Sequence, residues 1–199
     1  MGVMADEPEI DEYEDGDEEH SLDPEARARR EAAMERIVRM GDPVLRTVAR
    51  PVDGFDGELR QEIRWMGELM HDAMGVGLAA PQVGISHRLF VYRVEPDSPI
   101  IAVINPELEW TGDETELGEE GCLSIPGIQV DVERPVHIRI GGVDEYGEVV
   151  RVEASGLEAR VIQHEMDHLD GVLILDRTSK DQRKAAMRTL RDLERSRAA

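Results

Sequence analysis

The segment His164-Glu165-Met166-Asp167-His168 constrains this chain more than any other, because H-E-x-x-H on a helix sets two imidazoles on one face with a carboxylate beside them. The flanking residues predict a helix from Ser155 to about Leu169, with Ser155 and Glu158 in capping-box register and Gly171 placed to stop it. At about 100° per residue, Leu157, Val161, His164 and His168 fall within a sector of about 60°. The histidines therefore continue a buried stripe, and Glu165 lies at its edge. Single core histidines are commonly satisfied by neighbouring polar groups. Two imidazoles and a carboxylate buried together cost several kcal/mol unless something pairs with them, and a divalent cation does so most economically.

A catalytic metal of this kind takes three protein ligands and keeps one position open, so a third donor is needed. In the longer pattern H-E-x-x-H-x-x-G-x-x-H, Gly171 fits, but the final position is Ile174, which cannot bind metal and disfavours the metzincin proteases. Cys122 is the only cysteine, so it forms no internal disulfide and its thiol is free, buried or bound. By itself it reads more readily as a buried, inert small hydrophobe. It follows Glu120 and Gly121 within a glycine-containing segment, Gly118 to Ser124, that can bring backbone close to a cation, and a thiolate with two imidazoles suits zinc or ferrous iron. Two other readings stand at this point. One is a zinc peptidase with a different third ligand, indifferent to loss of Cys122; the other is a non-catalytic metal-holding module.

The chain of 199 residues has room for one ordinary domain. Its formal charge of -21 disfavours nucleic acid as a general partner, and DNA binding is not expected. About half of that charge lies in Asp6 to Glu19, ten carboxylates without Lys or Arg, which reads as a solubilising disordered tail. No apolar window suits a leader or a membrane span, and the protein is read as cytoplasmic. Helices are expected over Pro24 to Arg36 and over Asp56 to Ala73, the second capped by Asp56 and ended by Gly75. Leu89 to Val94, Ile100 to Asn105, Ile128 to Val132, Val136 to Ile140 and Val149 to Val152 read as strands, the last three as an antiparallel meander, whereas Gly75 to Gln82 reads as a loop. A basic C-terminal helix carries seven Lys or Arg between Lys180 and Arg197. The expected division is residues 1–36 as acidic tail and short helix, 37–180 as catalytic domain, and 181–199 as basic helix.

Three blocks in order, G-V-G-L-A-A-P-Q at Gly75 to Gln82, E-G-C-L-S at Glu120 to Ser124 and Q-H-E-M-D-H-L at Gln163 to Leu169, resemble the peptide deformylases. The opening M-G-D-P-V-L-R at Met40 to Arg46 extends the resemblance, which spans about Ile37 to Thr178. It implies an α+β fold with antiparallel strands packed around a central H-E-x-x-H helix, followed by a C-terminal helix. It implies that Cys122, His164 and His168 hold one divalent metal, usually Fe2+, with Zn2+, Ni2+ or Co2+ as possible occupants. Glu165 would move the proton, the Gln82 side chain and Leu123 N–H would bind the formyl oxygen, and Gly77 would let the substrate backbone approach. The substrate implied is an N-formylmethionyl nascent peptide, its Met side chain in a pocket drawing on Val76, Leu123, Leu157 and Val161. The basic helix would dock on the ribosome, against the alternative of a solvated helix face.

Overall fold

A computed structural model describes residues 23–197; the acidic run Asp6 to Glu19 lies outside them. The chain forms helices α1 (Pro24–Met34), α2 (Gly57–Asp72), α3 (Gly156–Leu169), α4 (Ile174–Arg177) and α5 (Lys180–Arg197). Seven strands alternate with them: β1 (Gly77–Ala79), β2 (Leu89–Tyr92), β3 (Ile101–Thr111), β4 (Thr115–Gly121), β5 (Gln129–Pro135), β6 (His137–Val143) and β7 (Val149–Ser155). Five make an antiparallel sheet in the order β1-β2-β3-β6-β7, and β4 pairs with β5 in a second. The expected combination of helices with antiparallel strands and a C-terminal helix is present.

The expected meander is corrected. β6 and β7 form a hairpin, but β5 pairs with β4 in the smaller sheet. The two stretches 101–121 and 129–143 run antiparallel through both sheets; Pro135 opposite Thr115 is the last pair of the smaller sheet, and the break falls where Val136 and His137 face residues 112–114. Pro135 has no N–H to offer a ladder, while Val136 N–H turns aside to the Glu114 carbonyl at 2.9 Å. β1 was read as loop because Gly77, Leu78 and Ala79, in a stretch rich in small residues, are too few to show a strand pattern, yet all three are buried and pair with β2. β4 was read only as a glycine-containing segment, since its exposed acidic residues show no apolar alternation.

Helix ends follow local chemistry with two corrections. Asp56 caps α2 as expected, accepting from Glu58 and Leu59 N–H at 3.0 Å. The left-handed residue beyond α2 is Met74 at φ 62°, not Gly75, whose N–H instead closes on the Met70 carbonyl at 2.9 Å. Ser155 is the N-cap of α3 but makes no side-chain capping bond; Glu158 leaves the cap to accept from the Tyr92 hydroxyl at 3.0 Å. Gly171 does stop α3, at φ 72°, where an added Cβ would lie 2.8 Å from the Arg46 carbonyl carbon. That position is thus a helix terminus, and Ile174, the residue in place of a third histidine, is buried in the core.

α3 lies between the sheets, touching β1, β2, β6 and β7 on one side and β5 on the other. Ala159, Ile162 and Leu169 pack with Phe90, Tyr92, Ile138 and Ile140. A second core joins α2 to β1 and β2, and includes Ala33 and Ile37. A third places Ala186 of α5 beside Ile125, Val130 and Leu175.

Candidate metal centre and catalytic site

One face of α3 delivers His164 and His168 to one place with Glu165 at its edge, and the turn joining β4 to β5 delivers Cys122. The pairing of Gly121 with Gln129 closes that turn and holds the thiol over the helix. Cys122 Sγ lies 3.3 Å from His168 Nε2, and the two rings are 5.0 Å apart, edge to face. One ligand atom from each of Cys122, His164 and His168 falls within 4.8 Å of the others. Bonds of about 2.0–2.3 Å to a tetrahedral ion place donors about 3.3–3.7 Å apart, so the three fit around one divalent cation.

The environment of each imidazole supports that role. His164 Nδ1 donates to Glu120 Oε2 at 2.9 Å, which leaves its Nε2 as the electron-pair donor. Burial opposes charge on His164, but Cys122 and Glu120 outweigh it and raise its pKa, so without a metal this ring carries the compensating proton. Burial, reinforced by His164 and Arg134, pushes His168 down and keeps it neutral. A cation would supply the positive charge that the metal-free site takes from a proton.

Glu120 is itself held. Burial alone would raise its carboxyl, but hydrogen bonds from Arg134 and His164 hold it down at about 2. Arg134 donates through Nε and Nη2 to both oxygens at 2.9 Å, and through Nη1 to Asp167 at 2.6 Å. Asp167 also accepts from Arg177, and Arg160 adds a contact to Glu120 at 3.0 Å. This buried ionic cluster clamps the ligand helix to β5. Sequence reasoning missed Arg134 and Asp167. Arg134 had a signal, since Val130, Val132 and Arg134 share the buried face at strand spacing; Asp167 had none, because a helix carboxylate reads as solvated.

Glu165 is 3 % exposed, and burial raises its carboxyl to about 7; its Oε2 has no hydrogen-bond partner. A buried carboxylate oxygen with a vacant lone pair, beside three metal-type donors, is suited to accept from a water. Gly77 makes room for it: an added Cβ would sit 2.2 Å from Glu165 Oε1. The resemblance offered a different reason, close approach of substrate, and the geometry adds this one.

Gln82 lies in a short 3-10 helix, Ala80–Val83, and is almost wholly buried. Its Oε1 accepts from Ala79 N–H at 2.9 Å, which fixes the amide so that Nε2 faces Cys122 Sγ at 3.7 Å and Ser124 Oγ at 3.4 Å. Leu123 follows the thiol directly; its N–H makes no hydrogen bond among the described residues. A cavity of about 310 Å³ opens over these groups, and Val76, Leu123, Leu157 and Val161 all line it. Leu157 was expected in the buried stripe but is 58 % exposed, because the helix face it occupies is the cavity wall.

A family model described as polypeptide deformylase matches residues 34–184. Among similar proteins, a peptide deformylase of Thermotoga maritima is 50 % identical over 163 residues, 82 % of this chain and 98 % of that one. One from Acidothermus cellulolyticus is 50 % identical over 162 residues, covering 81 % and 88 %. Among solved structures, a peptide deformylase from Synechococcus elongatus in complex with actinonin superposes with TM-score 0.73 at 46 % identity, covering 77 % of this chain and 86 % of that one.

Proposed function

Because this chain belongs to the polypeptide deformylase family, hydrolases that remove N-formyl groups, we propose that Cys122, His164 and His168 hold its metal and that Glu165, Gln82, Leu123 and Gly77 carry out deformylation around it. The observation that supports this most is the convergence of one sulfur and two imidazoles beside a buried, unpartnered carboxylate oxygen. Bound there, a divalent cation would lower the pKa of a water toward 7 and so provide hydroxide at neutral pH. Fe2+ is the physiological ion in this reading.

Glu165 accepts the proton of the attacking water at Oε2 and passes it to the departing amine, as a carboxylate whose pKa lies near the working pH can do in both directions. Gln82 Nε2 and Leu123 N–H donate to the formyl oxygen as it gains negative charge. Because Ala79 holds the Gln82 amide in place beforehand, little reorganisation is needed during reaction. The apolar cavity wall takes the methionine side chain, and the rest of the nascent peptide leaves along the open side. The catalytic unit is residues 37–180, flanked by the acidic N-terminal segment and the basic helix, and it meets its substrate in the cytoplasm.

The direct test is formate release from formyl-Met-Ala-Ser by protein purified anaerobically and loaded with iron. Hydrolysis of the formyl bond with no cleavage of internal peptide bonds is expected; internal cleavage would favour the zinc peptidase instead. Gln82→Leu should retain metal and lose about 10²–10³ in kcat, the usual cost of one oxyanion donor. A loss below tenfold would remove Gln82 from that role.

α5 serves as the docking face for the ribosome. Lys184, Arg188 and Arg191 are exposed along it, whereas Ala186 is buried, so the helix packs through one side and presents its cations on the other. Reversing those three to Glu should weaken co-sedimentation with ribosomes in a salt-dependent manner while formyl peptide turnover is preserved. Unchanged co-sedimentation would leave α5 as a solvated helix.

A further inference from the structure

Positive charge in this acidic protein is concentrated on α5, which holds seven Lys or Arg against three carboxylates. Two of the seven already face a carboxylate: Arg183 lies 3.5 Å from Asp176 and Arg195 lies 3.6 Å from Asp192. Exposed Lys184, Arg188 and Arg191 recur at four and three residues, which makes one stripe, and among the described residues none of the three pairs with a carboxylate. Arg191 Nε donates to the Met187 carbonyl at 2.9 Å, which leaves its charge in place. The opposite side of the helix faces inward. Ala186 and Leu190 pack with Ile125 and Val130, and a Cβ added at Gly127 would touch Leu193 at 3.4 Å. The stripe therefore holds no part of the fold together, and none of the deformylation chemistry uses it.

The chain carries a partner of matching chemistry. Asp6 to Glu19, outside the described residues, supplies ten carboxylates without Lys or Arg, and residues 20–22 join it to α1. α1 and α5 flank the same region. Met34 of α1 and Gly127 both line the catalytic cavity, and Val38, just past α1, packs against the core that contains Ala186. At about 3.3–3.6 Å per residue, the chain from Asp23 back to Asp6 can span about 60 Å. That exceeds the length of α1, about 17 Å, and of the stripe from Lys184 to Arg191, about 10 Å, at 1.5 Å per helical residue. Exposed ion pairs are individually weak, but joining the two partners in one chain makes their contact intramolecular and raises its effective concentration.

We propose that the acidic run Asp6 to Glu19 binds the cationic stripe of α5 within the same molecule and competes there with polyanions. The competition rests on the ribosome-docking reading of α5, whereas the contact itself does not. Lys180 and Lys184, both exposed on α5, are the only lysines of the chain, so zero-length carbodiimide cross-linking of the full chain reports on this helix. Mass spectrometry of the monomeric product should join a peptide from residues 6–19 to Lys180 or Lys184. Arg188→Glu combined with Arg191→Glu keeps both lysines and should cut that cross-link severalfold, as should high salt. Cross-links confined to Asp181 and Asp176, found only between two chains, or unchanged in the double variant would overturn the contact.

Ribosome co-sedimentation tests the competition. Replacing every Asp and Glu from Asp6 to Glu19 by Asn or Gln in the full chain should tighten binding about three- to tenfold at moderate salt, the size of a few exposed ion pairs, and should leave formyl peptide turnover unchanged. An unchanged affinity would overturn the competition. If no form of the protein sediments with ribosomes, the docking reading fails and the competition with it, while a cross-linked contact would still stand.

Discussion

Glu165→Gln is expected to bind its metal normally and to lose about 10²–10⁴ in kcat on formyl-Met-Ala-Ser, the range for removing a positioned proton carrier. The amide is nearly isosteric, so Gly77 still accommodates it, but it cannot take a proton from water. The pH profile supplies a second readout. Wild-type kcat/KM should fall on the acid side as Glu165 becomes protonated, at or below the value of about 7 set by burial, because a bound cation favours the carboxylate. That acid limb should be absent from the residual activity of the variant. Stability moves the other way. A carboxyl raised from 4.5 to about 7 contributes stability below pH 4.5 and loses it as pH rises through about 7, so metal-free Glu165→Gln should be at least as stable as wild type at pH 8. Retention of more than a tenth of wild-type turnover would show that proton transfer runs through another group.

Cys122→Ala is expected to abolish activity by a different route, through loss of the metal itself. Removing even an outer-shell partner of a metal ligand costs about 10–100-fold in affinity, and removing one of three direct ligands should cost more. Equilibrium dialysis against Fe2+ or Zn2+, with elemental analysis of the protein, measures it directly. The thiol is only partly buried, so the variant should fold, as checked by circular dichroism. A substoichiometric metal content with folded protein is the expected result. Full metal content and turnover would mean that some other residue completes the coordination shell, as in the peptidase alternative. The two variants therefore separate holding the cation from using it.

The H-E-x-x-H helix was legible because its parts are close in sequence. Its periodicity places His164 and His168 on one face, and Gly171 ends it with a conformation that needs no distant partner. The Asp56 cap is local in the same sense. Cys122 was legible only in combination with that helix, since a lone thiol has no pattern of its own. Arg134 and Asp167 went unrecognised because their partners lie 14 and 33 residues away in the chain. The meander was misassigned for a related reason. Strand alternation shows which face is buried but not which neighbour supplies the ladder, and Pro135 with Val136 transfers the chain between sheets without leaving an apolar signature.

Residue chemistry and short-range spacing were enough to single out Cys122, His164, Glu165 and His168 as candidates and to predict the mixture of helix and antiparallel strand, because each is carried by side-chain identity or by a period of 3.6 or 2. Tertiary structure alone decided the rest. The register of β4 with β5 brings the thiol to the two rings, and the Glu120, Arg134 and Asp167 cluster clamps the helix there. Packing strips water from Glu165, and α1 is folded against the cavity. These depend on contacts between segments far apart in the chain, where burial and charge act across space rather than along the sequence.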